Sequence, residues 1–246
     1  MKQLVGYITA GILEDAATVD LILAMAEKGM DAIELGIPFS DPAADGPVIE
    51  KASMIALENG YRFDRTYAIT EAISPTIDTL WMGYFNSFYH KGLETVAQKG
   101  SAAGLKGLII PDLPYEESHP HKPLFSRYGI DLIDFVAPTD SPERIKKITA
   151  ESRRFIYLVS YTGITGAGQS EDLSEITRSI KAVSDTPLYV GFGVNKETAK
   201  EKARHSDGVI VGSAFVKILI DESLTTSQKI DRIATLAGDI KSLINE

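Results

Sequence analysis

Eight short runs rich in β-branched and aromatic residues recur from one end of the chain to the other: QLVGYIT, DAIELG, IDTLWMGYF, LKGLIIPD, IDLIDFVAP, RRFIYLVS, TPLYVGF and DGVIVGS. Between them, segments such as EDAATVDLILAMAEKG, GLETVAQKGSAAG, SPERIKKITAESR and SEITRSIKAVSD carry apolar residues at helical spacing, opened by Asp or Ser and often closed by Gly. A βα period repeated in this way calls for parallel strands joined by helical crossovers. Several of the runs are apolar at consecutive positions, as strands buried on both faces must be. The expected fold class is therefore α/β, a single-domain (β/α)8 TIM barrel over residues 1–246. An open doubly wound sheet is the alternative, but GYITAGILED after the first strand lacks the G-x-G-x-x-G spacing of that fold's phosphate turn. No linker-like or low-complexity stretch divides the chain, and IDRIATLAGDIKSLI reads as a closing helix.

Composition narrows the function classes. With 44% apolar residues and no apolar run near the ~18 residues that span a bilayer, no transmembrane helix is expected. The opening MKQLVGYITAGILEDAA is closed by Glu14 and Asp15 and reads as a first strand, not a signal segment. The chain has no cysteine, so disulfides, thiolate metal sites and a cysteine nucleophile are excluded and a cytoplasmic location is expected. A net charge of -9 argues against nucleic acid as a partner. Any anion site must be local.

In a barrel the chemistry sits at the C-terminal strand ends and the loops after them. Glu34 lies between Ile33 and Leu35, so its side chain points away from theirs, toward the barrel mouth. Burial there would raise its pKa and suit it to proton exchange near neutral pH; a structural acid paired with a cation is the alternative. Asp45 follows 11 residues later in SDPAADGP, where Pro42 and Pro47 stiffen the loop and Gly46 permits a turn. It either delivers a second carboxylate to the mouth or caps the helix that begins at VIEKASMIALENG. A calcium loop counted from Asp41 fails, because Ala43 and Ala52 stand where ligands are required. Three glycine-rich turns, SYTGITGAGQ, GFGVN and GSAFVK, follow the last three strands and can present backbone N–H groups to a phosphate. The four histidines form no HExxH, and SHPHKP reads as a solvated loop. No metal site is expected. Tyr7, Tyr84, Tyr157 and Phe192 each lie near a strand end and either line a pocket or fill the upper core.

The segments ELGIPFSDPAADGPVI, GLIIPDLPYEES, YLVSYTGITGA, VGFGV and VIVGSAFVK occur in the order and at the separations of the alpha subunit of tryptophan synthase, which the chain resembles over essentially its whole length. The resemblance implies a carbon–carbon lyase that cleaves indole-3-glycerol phosphate into indole and glyceraldehyde 3-phosphate by a retro-aldol reaction in tryptophan biosynthesis. Glu34 matches the family's acid–base catalyst, and Asp45 matches the carboxylate that binds the indole N–H. Gly166, Gly193, Gly212 and Ser213 match phosphate contacts, with Gly191 shaping the turn. Tyr7, Tyr84, Tyr157 and Phe192 match positions around the indole and glycerol, and Thr165 matches the partner of Asp45 on loop closure. The resemblance also implies no cofactor in this chain, and a partner beta subunit that carries pyridoxal phosphate (PLP), the two forming an alpha2beta2 heterotetramer. The SDPAADGP loop and PDLPYEES, with Asp112 and Pro114, would face that partner. Ile12 and Leu13 stand where the family usually has Asp-Pro at a partner-facing turn.

Overall fold

In a computed structural model, which describes residues 1–159 and 173–246, each of the eight β-rich runs forms strand. The strands are β1 (Gln3–Thr9), β2 (Ala32–Gly36), β3 (Asp78–Met82), β4 (Gly107–Ile109), β5 (Asp131–Leu132), β6 (Asp134–Val136), β7 (Ile156–Val159), β8 (Leu188–Gly191) and β9 (Gly208–Val211). The fifth run supplies both β5 and β6, so nine segments come from eight runs. All pair in parallel, in the order β5-β4-β3-β2-β1-β9-β8-β7-β6. The two ends of that order are neighbours in sequence, joined through buried Ile133, whose N–H donates to the Leu108 carbonyl at 2.9 Å. The barrel therefore closes at Ile133.

Side-chain alternation sorts each strand into an inner and an outer face. Val5, Tyr7, Leu80, Met82, Ile109, Ile133, Phe155, Tyr157 and Ile210 fill the interior. Leu4, Ile8, Ile33, Leu35, Trp81, Leu108 and Val209 face outward against the helices, and Ile156, Leu158, Leu188 and Val190 do the same on the other flank. This sorting fixes Glu34. Ile33 and Leu35 are fully buried and contribute about 1.5–3 kcal/mol each, which outweighs the roughly 1–3 kcal/mol cost of burying one polar group between them.

The helices follow the sequence patterns. Pro47–Glu58 opens on a proline at its first position, and Thr226–Leu243 opens on a reciprocal cap between Thr225 and Gln228. Ser141 caps Pro142–Thr149 by accepting from the Arg144 N–H at 3.2 Å. Polar ties gather at the N-terminal strand ends: Arg154 bridges Asp78 at 2.8 Å and Asp131 at 3.2 Å, and Lys241 meets Asp31. The SHPHKP run is not a solvated loop. It forms a 3-10 turn, His119–His121, leading into the helix Lys122–Arg127, because buried Asp134 draws the Lys122 ammonium inward to 2.8 Å. Among the described residues no helix is long and apolar enough to cross a membrane.

Candidate active site

Glu34 stands near the C-terminal tip of β2, 2% exposed, and its Oε1 finds no hydrogen-bond partner among the described residues. Burial, and after it the charge of Asp45, push its pKa up to about 8. With its pKa near 8, this carboxyl is held largely as the neutral acid at pH 7. Asp45 comes from the loop after β2. It does not cap the following helix, whose N-cap is Gly46 with no side-chain bond. Its Oδ2 accepts from the Tyr84 hydroxyl at 3.1 Å, and the Tyr84 oxygen in turn accepts from the Ala44 N–H at 2.9 Å. Burial raises the Asp45 pKa to about 6, with the Tyr84 bond opposing the rise and Glu50 adding to it. The two carboxyls share one electrostatic environment but titrate on opposite sides of neutrality.

The aromatic residues close around them. Tyr7 is 4% exposed, and its hydroxyl accepts from Thr9 Oγ1 at 3.3 Å. Tyr157 is buried, packs on Phe135 with ring centroids 4.9 Å apart, and meets Phe192 edge-on at 6.0 Å. Burial and then the charges of Glu34 and Asp45 hold the Tyr157 phenol well above its ordinary pKa. Tyr84 stacks on Phe39 at 5.1 Å. Gly191 does more than shape a turn: a β-carbon there would stand 2.3 Å from the Tyr157 ring, so its bare backbone makes room for that ring.

The candidate phosphate end lies on neighbouring strands. Phe192 and Gly193 follow β8 with φ of 68° and 66°. A left-handed phenylalanine is costly by about 1–2 kcal/mol, and such strain persists where a site requires it. The Gly193 carbonyl is held by the Thr198 hydroxyl at 2.8 Å. Gly212 and Ser213 follow β9, where Gly212 precedes the helix Ser213–Leu219 and a β-carbon on it would touch Tyr7 and Ile49 at 3.5 Å. The first amides of that helix have no intrahelical acceptor. Thr165 and Gly166 lie outside the described residues. Ile12 and Leu13 are half-buried and pack on the outer core. Sequence reasoning missed Thr9, Gly36 and Phe39, which act through cross-strand or loop contacts. A cleft of about 530 Å³ lined by His119, Lys122, Asp131 and Ser152 holds none of these residues; it adjoins the start of β5, away from the site. Among the described residues, no three His, Asp or Glu come together as a metal-ligand set.

Known proteins resemble this chain over its full length. The family model for the tryptophan synthase alpha chain matches residues 1–245. The tryptophan synthase alpha chain of Wolinella succinogenes is 52% identical over 246 residues, covering 100% of this chain and 96% of that one. The solved tryptophan synthase of Mycobacterium tuberculosis superposes with a TM-score of 0.89 at 37% identity, covering 100% of this chain and 93% of that one. The alpha chain from Legionella pneumophila gives 0.88 at 31% identity, with 99% and 92% covered. The strand-tip acid, the tethered loop acid and full-length similarity at this level lead to one conclusion: the chain belongs to the tryptophan synthase alpha chain family.

Proposed function

We propose that this chain, working as one barrel domain, cleaves indole-3-glycerol phosphate with Glu34 as the acid–base group and Asp45 as the fixed anion. The observation that carries this reading is the division between the two carboxyls, one raised to about 8 and the other to about 6 within one pocket. At pH 7 Glu34 starts protonated and gives its proton to indole C3. The ring becomes cationic, and ionised Asp45, accepting the ring N–H, stabilises that charge. Glu34, now a carboxylate, removes the proton from the glycerol hydroxyl on the carbon attached to C3. That oxygen's electrons form the aldehyde, the C–C bond breaks, and its electron pair returns to the ring to restore neutral indole. Glu34 ends with the proton it began with, so the cycle balances.

Tyr7, Tyr84, Tyr157 and Phe192 surround the indole and glycerol in this reading. Gly193, Gly212, Ser213 and Gly166 hold the phosphate through backbone N–H groups and one hydroxyl, and Thr165 meets Asp45 on closure. The product indole passes to a beta subunit, whose pyridoxal phosphate lies in that partner, within an alpha2beta2 assembly in the cytoplasm. The SDPAADGP loop and the segment with Asp112 and Pro114 form the partner face; Asp112 supports it by accepting from the Phe85 N–H at 2.9 Å. The test is indole release from indole-3-glycerol phosphate by the purified chain, alone and with a beta subunit. Slow release that rises with beta is expected, and Glu34→Gln should lose about 10²–10⁴-fold. Cleavage by that variant at the wild-type rate would refute the assignment.

A further inference from the structure

Tyr7 on β1 faces Glu34 on β2 in register, and Thr9 faces Gly36. Tyr7 leans along its strand, so its ring end comes to lie over Gly36. A β-carbon on Gly36 would stand 2.2 Å from the Tyr7 hydroxyl oxygen, 2.4 Å from Cζ and 2.6 Å from Cε2. A rigid ring has no flexible end that could give way. Gly36 is not among the glycines with positive φ, so its backbone is open to alanine and only the space excludes a side chain. The tyrosine hydroxyl also accepts from Thr9 Oγ1 at 3.3 Å, a residue itself 1% exposed.

Gly36 lies two residues beyond Glu34 on the same face of β2. A ring held over Gly36 therefore flanks Glu34 on its β1 side toward the strand tip, and both side chains are buried, Tyr7 at 4% and Glu34 at 2% exposure. We infer that Gly36 is a positioning residue for the reaction: its missing side chain is the socket that seats the Tyr7 ring as a dry wall beside Glu34. The inference rests on Glu34 being the acid–base group and adds what keeps that group protonated. Burial is the first cause of the raised Glu34 pKa, in agreement with an apolar wall that keeps water from its flank.

The experiment is a double-mutant cycle on indole-3-glycerol phosphate cleavage with Gly36→Ala, Tyr7→Leu and the two combined, read as kcat, KM and pH profile in the presence of beta subunit. Wild-type activity and its loss in Glu34→Gln check the parent reading separately. Gly36→Ala should lower kcat about 10–100-fold, as a displaced catalytic environment does, and move the alkaline limb to lower pH as water reaches Glu34. In the Tyr7→Leu background the same substitution should cost little, because the ring it strikes is gone. Equal fold-losses in both backgrounds, no loss from Gly36→Ala, or a loss of height with the alkaline limb unmoved would each overturn the inference. Should Gly36→Ala fail to fold, the double variant decides. Activity matching Tyr7→Leu supports the socket, and a double variant that is unfolded or further inactivated overturns it.

Discussion

Glu34 carries a proton in the folded chain at pH 7 that the unfolded chain would release. Its pKa rises from an ordinary 4.5 to about 8 on folding. Between those values the folded state binds more protons than the unfolded state at this site. Its contribution therefore favours folding fully below about pH 4.5 and is lost as pH rises through about 8. Gln at this position cannot ionise. The stability of Glu34→Gln relative to wild type should thus grow with pH from 5 to 8, by an amount of order 2–4 kcal/mol at roughly 1.4 kcal/mol per unit. Urea midpoints across that range measure it. A constant difference would mean that Glu34 titrates in the fold as it does in water. The absolute difference at one pH is less informative, because a buried glutamine leaves its own amide to be satisfied.

At the scale of the element, the loop after β2 depends on a residue at the end of β3. Tyr84 accepts from the Ala44 N–H, which directs its own proton to Asp45 Oδ2 and leaves the other carboxylate oxygen available to an indole N–H. Tyr84→Phe removes a donor to the ionised carboxylate. The Asp45 pKa should then climb above about 6, and the acidic limb of kcat/KM should move to higher pH with about a tenfold loss at neutrality. A profile recorded from pH 5 to 9 tests this, with the apparent values belonging to the coupled pair. An unmoved acidic limb would remove Tyr84 from that role. This tether was not legible in the sequence, although Glu34, Asp45 and Tyr84 all were. Inward and outward facing follows from alternation along a strand, so Ile33 and Leu35 were enough to aim Glu34. Which loop atom a tyrosine reaches depends on how the chain folds between Asp45 and Tyr84, 39 positions apart, and no local pattern encodes it. Gly36 was hidden for the same reason, since its role exists only once β1 and β2 are in register. The eight strand runs were legible because burial on both faces makes them continuously apolar. The break at Ile133 and the helical SHPHKP segment were not, since a seam and a buried lysine–aspartate pair are tertiary facts.

Across the whole molecule, the proposed chemistry and the N-terminal polar ties occupy opposite ends of the barrel, as the fold's architecture favours. Glu34, Asp45, Gly193 and Gly212 lie at or beyond the C-terminal strand ends. At the other end Asp31 accepts from the Leu4 N–H at 2.7 Å and from the Lys241 ammonium at 2.5 Å, and Lys241 also donates to the Lys2 carbonyl at 2.8 Å. One lysine from the last helix thereby ties the first strand to the turn before the second. It is 13% exposed and Asp31 26%, so water screens the pair only in part. Lys241→Met keeps the aliphatic stem and removes two hydrogen bonds from a charged donor. The expected loss is about 1–3 kcal/mol of unfolding free energy, read from the denaturant midpoint. Because the Lys241 ammonium bonds to Lys2 and Asp31 at the N-terminal strand ends, kcat and KM at 25 °C should stay at wild-type values while the midpoint falls. If activity fell in proportion to stability, the two ends would be mechanically coupled through the strands. An unchanged midpoint would reduce the Lys241–Asp31 contact to a surface pair of no consequence.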